Sequence, residues 1–430
     1  MSEAERLAAG DPTLFAGSTA ATALGWLRHS SAYGGPWLST IEARLPRRHE
    51  RTLLVGMGGS SSPARMLIRA PFLTVLDTSN PDTIAATEFD GATLIVASKS
   101  GTTVEVQTLM AHALVNGVEP EDLVVITDPG TSLAALGDWL GATVILADPH
   151  TGGRFSALSP FGLVPALYAG WSVTELAELQ DANQLDAGVV ERALARAAAV
   201  EIVDGVGQLD VGGDPAANGT ALWFEQLIAE TTGKDGRGII PVPGAGPGPG
   251  PSEILELHLA AAWLARQLGV DPFNQPDVER AKRDVFVRLM PDARDQSTPV
   301  AGVASLGAVL DYPGYHTLQV YGPLSAGEQL APLRAAVAAR CGTTTANLGP
   351  RYLHSTGQLH KGGPAVGVIQ VVLRPASAPR RIQGRGYTFH DLHRAQADAD
   401  LAALVSVGRP VARVVADTID EVLAMVAALG

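Results

Sequence analysis

Residues 94–117, LIVASKSGTTVEVQTLMAHALVNG, change character twice within one short stretch. Leu94 to Ala97 are apolar without polar alternation, as in a strand buried on both faces. Ser98 to Thr103 are hydroxyl-rich. Val104 to Asn116 then carry apolar residues at helical spacing, and Gly117 is a natural stop. Strand, turn and helix follow one another without a gap. Leu53 to Val55, Phe72 to Leu76, Leu123 to Thr127 and Val144 to Ala147 are similar apolar runs separated by helical stretches. Such alternation predicts an α/β fold with a doubly wound parallel sheet covered by helices.

The rest of the chain supports more than one packed unit, because 430 residues exceed an ordinary domain. With 46% apolar and 17% charged residues, the chain can bury a large core and is not a disordered polymer. Lys and Arg number 31 against 44 Asp and Glu, a net charge of −13 that disfavours nucleic acid as a partner. Cys341 is the single cysteine, so neither an internal disulfide nor a Cys-rich metal site can be built. The N-terminus lacks a basic segment followed by an apolar one, and no apolar run is long enough to span a bilayer. These features predict a soluble cytoplasmic protein with no membrane partner.

Helical periodicity recurs over Ala193–Ile202, Leu222–Thr232, Ile254–Leu268, Pro276–Leu289, Ala326–Ala339 and Ile419–Leu429. Thr317–Tyr321, Val366–Leu373 and Val411–Ala416 read as strands. Residues 241–251, PVPGAGPGPGP, read as a loop or joint in which neither helix nor sheet forms.

Two glycine- or hydroxyl-rich turns point to an anion. Gly56-Met57-Gly58-Gly59-Ser60-Ser61-Ser62 follows the first strand, and Ser61 stands where a dinucleotide fingerprint needs its third glycine. A nicotinamide cofactor is therefore disfavoured. Ser98-Lys99-Ser100-Gly101-Thr102-Thr103 brings four hydroxyls and a lysine to the start of a helix, at the sheet edge where open α/β folds bind ligands. A helix cap needs one hydroxyl, whereas this segment offers four. No Walker A pattern is present, so a phosphomonoester fits better than a nucleotide.

These turns, with Glu105 and with Gly152-Gly153-Arg154-Phe155-Ser156, resemble the signature series of the glucose-6-phosphate isomerase family, built from sugar isomerase (SIS) domains. Three further segments carry the same resemblance: Glu230-Thr231-Thr232-Gly233-Lys234-Asp235, Asp271-Pro272-Phe273-Asn274-Gln275-Pro276-Asp277-Val278-Glu279 with Lys282, and Leu353-His354-Ser355-Thr356-Gly357-Gln358. In most of the family the Leu-His-Ser segment precedes the Asn-Pro-Phe segment; here it follows Lys282. That permuted order resembles the isomerase portion of actinobacterial transaldolase/glucose-6-phosphate isomerase fusions.

The resemblance implies two SIS (flavodoxin-like) domains and a permuted C-terminal α/β segment. The expected units are a helical segment at 1–40, SIS domains at 41–174 and 175–310, and a segment at 311–430 that carries the histidine motif. It also implies isomerisation of glucose 6-phosphate to fructose 6-phosphate through ring opening and an enediol, a step of glycolysis and gluconeogenesis, with no metal or organic cofactor. Glu230 is then the base that moves a proton between C2 and C1, and Arg154 stabilises the enediolate. His354 and Lys282 open the ring. Gly58, Gly59, Ser60, Ser98, Lys99, Ser100, Thr102, Thr103, Glu105 and Gln275 contact substrate. Lys282 follows Gln275 by seven residues and shares its face if that stretch is helical throughout. His360 and Lys361 read as ordinary polar residues. Two alternatives stay open: an isomerase that also accepts mannose 6-phosphate, and a non-catalytic sugar-phosphate sensor. Family members commonly share a site across a homodimer, and sequence leaves open whether His354 acts in its own chain or in a partner's.

Overall fold

The computed structural model describes residues 1–17, 19–69, 73–246, 248–290 and 301–429, and the side chains of 279–282 are outside that description. Its strands are β1 (Thr52–Gly56), β2 (Leu73–Leu76), β3 (Thr93–Ala97), β4 (Leu123–Thr127), β5 (Thr143–Leu146), β6 (Ile202–Val203), β7 (Val206–Asp210), β8 (Gly238–Val242), β9 (Tyr315–Tyr321), β10 (Thr344–Gly349), β11 (Val366–Leu373) and β12 (Val411–Ala416). Four helices bear on the site: α1 (Val104–Leu114), α2 (Gly219–Thr232), α3 (Glu279–Arg288) and α4 (Phe389–Ser406).

β1 to β5 form a parallel sheet of order β2-β1-β3-β4-β5. Successive side chains of a strand point to opposite faces. Leu53 and Val55 of β1 therefore join one apolar cluster and Leu54 another, and Leu94 and Ile95 of β3 divide in the same way. Both faces are apolar because helices cover both, which explains the lack of polar alternation in sequence. Each such leucine or isoleucine removed from water contributes on the order of 2 kcal/mol. Phe72, expected to open β2, lies outside the described residues.

A second, all-parallel sheet has the order β10-β9-β11-β12. Numbered from its own first strand this is 2-1-3-4, the order with which the first sheet begins. These strands lie within 311–430. The 175–310 stretch, where a second SIS unit is expected from sequence, contributes helices and a small mixed sheet of order β6-β7-β8. β10, TTANLG, lacks the β-branched apolar run that marks its neighbours, yet all six of its residues are buried.

Two expectations change at the elements themselves. Pro241 and Val242, inside the segment read as a loop, belong to β8. Among the described residues β8 is an edge strand paired only with β7, so Pro241 can turn its missing N–H away from the ladder. The helix expected from Pro276 begins at Glu279, leaving Gln275 in the preceding turn rather than on one helical face with Lys282.

Candidate active site

The carboxyl ends of β1, β3, β4 and β5 meet one cleft of about 580 Å³, walled among others by Gly59, Ser60, Lys99, Ser100, Thr102, Thr103, Glu105, Asp128, Arg154, Gln226, Glu230, Gln275 and His354. The strand order reverses between β1 and β3, and ligands of open α/β sheets bind outside that point. Residues spread from 59 to 354 in sequence are thus brought together. Gly58 and Ser98 stand behind the wall. A Cβ on Gly58 would lie 2.2 Å from the His354 carbonyl oxygen, so this glycine makes room for the histidine turn. The Ser98 hydroxyl is buried, 3.0 Å from that of Thr103. The backbone of Lys282 is helical, and its side chain lies outside the described residues.

The hydroxyl loop leaves a helix end open. Thr103 occupies the N-cap position of α1, yet its side chain makes no capping bond and turns to Ser98 instead. The first amides of α1 therefore keep their attraction for an anion. Ser100 and Thr102 are exposed beside them, with hydroxyls 3.0 Å apart. Lys99 is engaged by the Asp128 carboxylate and by the carbonyls of Asp148 and Pro149, each 3.4 Å away. Burial pushes the Asp128 carboxyl up, against the pull of Lys99.

Arg154 is held in a single-turn helix between two glycines and Phe155, and is 3% exposed. Its Nη1 donates to the carbonyls of Glu230 at 2.5 Å and Pro272 at 3.1 Å; its Nη2 donates to the Asn274 carbonyl at 3.2 Å and to Gln275 Oε1 at 2.7 Å. The same Nη2 is 3.5 Å from Glu230 Oε1. Burial lowers the affinity of Arg154 for its proton, and the Glu230 and Asp271 carboxylates oppose that. A guanidinium stays charged through such shifts. Beneath it, Lys234 Nζ donates to the carbonyls of Thr231 at 2.8 Å and Asp271 at 2.5 Å. Burial, reinforced by Arg154, brings Lys234 down to about 6.

Glu230 sits in the last turn of α2, a helix buried on every side from Ala221 onward. Gln226, one turn earlier on the same face, donates to Glu230 Oε2 at 3.1 Å and to the His354 carbonyl at 3.0 Å. His354 ends the turn after β10, and its Nε2 is 3.0 Å from Glu105 Oε1. The Glu230 carboxylate, the Arg154 guanidinium, the His354 imidazole and the hydroxyl loop therefore face one space within one chain.

Sequence reasoning missed several neighbours. Gln226 was findable from its four-residue spacing to Glu230, and Asp128 from its place just past β4 at the sheet edge. Gln396 and Arg283, which also wall the cleft, carry no local signal. His360 and Lys361, read as ordinary polar residues, are buried at 1% and 4% exposure, with Lys361 Nζ 2.5 Å from Asp400 Oδ1. Among the described residues no cluster of three or more His, Cys, Asp or Glu side chains could hold a metal ion, and no helix is long and apolar enough to cross a membrane.

No protein-family model matches the chain. A glucose-6-phosphate isomerase of Rubrobacter xylanophilus is 31% identical over 223 residues, 44% of this chain and 51% of that protein. A probable glucose-6-phosphate isomerase of Haloarcula marismortui is 30% identical over 294 residues, 61% of this chain and 62% of its own length. Among solved structures, a glucose-6-phosphate isomerase from Chlamydia trachomatis aligns with 96% of this chain and 69% of its own, at 15% identity and a TM-score of 0.32. The chain spans roughly half to three-fifths of the length of the curated relatives it matches. Over those shared segments its sequence is similar to the glucose-6-phosphate isomerases.

Proposed function

We propose that this protein interconverts glucose 6-phosphate and fructose 6-phosphate at the cleft beside β1 and β3, with all protein groups drawn from one chain. The observation that carries the reading is the 3.5 Å approach of the Glu230 carboxylate to the Arg154 guanidinium, on the wall that also holds His354 and the open start of α1.

The substrate phosphate is held by Ser100, Thr102, Thr103 and the α1 amides, with Ser98 fixing Thr103 from behind and Lys99 supplying positive charge. Gly59 and Ser60 line the opposite side, and Gln275 couples Arg154 to the substrate. His354, with Lys282 from α3, moves the protons that open the sugar ring. Glu105 accepts from His354 Nε2, which leaves Nδ1 as the acceptor available to the sugar. Glu230 removes the C2 proton and returns it to C1. Arg154, fixed by carbonyls on two sides, stabilises the negative charge on the enediolate oxygen without competing for the proton.

Incubation with glucose 6-phosphate and, separately, mannose 6-phosphate, with coupled detection of fructose 6-phosphate, tests this reading. Conversion of the glucose ester is expected. Conversion of both esters would extend the activity to mannose 6-phosphate, and binding without conversion would select a sensor and contradict the proposal.

A further inference from the structure

α4 carries a buried polar stripe. His393, Gln396 and Asp400 lie at i, i+3 and i+7 on one face, at 3%, 1% and 0% exposure. Around the stripe, Phe389, Leu392, Ala395 and Ala399 pack into a core of the first sheet, while Leu401 and Leu404 pack on strands of the second. α4 therefore straddles the two sheets, and Gln396 from its polar stripe lines the cleft.

The hydrogen bonds along the stripe have a fixed direction. Asn80 Oδ1 accepts the amides of Asp82 and Thr83, so its Nδ2 is the group 3.4 Å from His393 Nε2. An amide nitrogen only donates, so Nε2 of His393 is an acceptor and Nδ1 carries the proton. His393 is neutral, because burial brings it down to about 3. Its Nδ1 donates to Ser79 Oγ at 3.0 Å, and Ser79 then donates to Gln396 Oε1 at 2.5 Å. Gln396 is left with its nitrogen toward Glu105, donating to Oε1 at 2.6 Å. That same oxygen is 3.0 Å from His354 Nε2. At the other end, Asp400 accepts from Tyr352 Oη at 2.7 Å and from Lys361, and Tyr352 lies two residues before His354 in the same turn.

We propose that Gln396 is a positioning residue for ring opening: held by His393 and Ser79, it shares Glu105 Oε1 with His354 and so sets both the place and the basicity of the imidazole. Asp400 fixes the backbone turn of the same histidine through Tyr352. The inference rests on the isomerase reading for its effect on turnover, and on the hydrogen-bond chain alone for its effect on His354.

Gln396→Met keeps the length of the side chain and removes the donor; Gln396→Glu keeps the shape and, 2.6 Å from Glu105 Oε1, shares one proton with that carboxylate, so a donor remains. Without the amide, more of the Glu105 charge faces His354, so the imidazolium is held more tightly. The other charged groups walling this cleft, Lys99, Asp128, Arg154, Glu230 and Arg283, are unchanged in these variants. For Gln396→Met, kcat for glucose 6-phosphate is expected to fall about tenfold with KM little changed. The acid limb of the kcat/KM profile should move up by about half a pH unit in Gln396→Met, and by less in Gln396→Glu, where the shared proton keeps a donor on Glu105. The His354 titration, followed by NMR, should move in the same direction. Ser79→Ala, one bond further out, should give a smaller shift of the same sign and replaces Gln396→Met if that variant does not fold. Unchanged titration and pH profile in a folded variant would overturn the proposal. An inactive wild type would instead remove the isomerase reading, while the NMR titration would still decide whether Gln396 acts on His354.

Discussion

Glu225 and Glu230 are carboxylates of one helix in opposite situations. Glu230 faces the cleft, with Arg154 and Gln226 at its two oxygens. Glu225 faces the interior, where Asn347 donates to Oε1 at 3.1 Å and Oε2 has no hydrogen-bond partner among the described residues. Burial drives Glu225 up to about 8, against the pull of Asn347. Between its ordinary range and about 8, the unfolded chain releases this proton while the folded chain keeps it. Folding stability therefore falls as pH rises through that window and levels off above it. Glu225→Gln removes the dependence. The difference in unfolding free energy between variant and wild type should shift in favour of the variant by about 3–5 kcal/mol from pH 4.5 to 9. Parallel denaturant titrations at the two pH values check this. Arg154→Lys tests the site itself. One ammonium cannot replace the two nitrogens that reach Glu230, Pro272, Asn274 and Gln275, so kcat should fall about 10²–10³-fold in steady-state assays.

Elements are held in register by close backbone approach. The turn after β1 meets the turn that carries Arg154, and a Cβ on Gly59 would lie 2.1 Å from the Gly153 carbonyl oxygen. Neither backbone can retreat without moving Arg154. Gly59→Ala is expected to lower stability by about 2–3 kcal/mol in thermal or denaturant unfolding and to reduce turnover with it. Gly91→Ala is the control: its φ is +63° but nothing among the described residues lies within 4 Å of the added carbon, so about 1 kcal/mol is expected and turnover should be retained. The same close packing governs what sequence can reveal. β1, β3 and β4 are legible because apolar side chains fill both of their faces, and β11 and β12 are legible from their runs of valine. β10 is not, because Thr344, Thr345 and Asn347 interrupt its apolar run; Asn347 is buried with its side-chain amide donating to Glu225. The start of α3 is misread because Pro276 looks like a first-turn proline, whereas the chain remains a turn as far as Val278.

At the scale of the molecule, the permuted order of motifs leaves the cleft intact because position in the sheets, not position in the chain, brings the groups together. Glu105 comes from the first sheet's α1 and His354 from the turn after β10 of the second, 249 positions apart in sequence. The motifs themselves are legible in sequence. Their support is not: Gln396 reaches Glu105 across 291 residues, and no local pattern marks such a contact. Net charge −13 poses no obstacle to an anionic sugar phosphate, since Lys99, Arg154 and Arg283 lie on the cleft wall. In the proposed reaction one chain supplies every protein group of the site. The most direct test is glucose 6-phosphate turnover by co-expressed Glu230→Gln and His354→Ala chains, measured beside the wild type and each variant alone. The account predicts an active wild type, losses of about 10²-fold or more in each folded variant, and no recovery in the mixture. Recovery in the mixture, or undiminished turnover by folded Glu230→Gln, would contradict it.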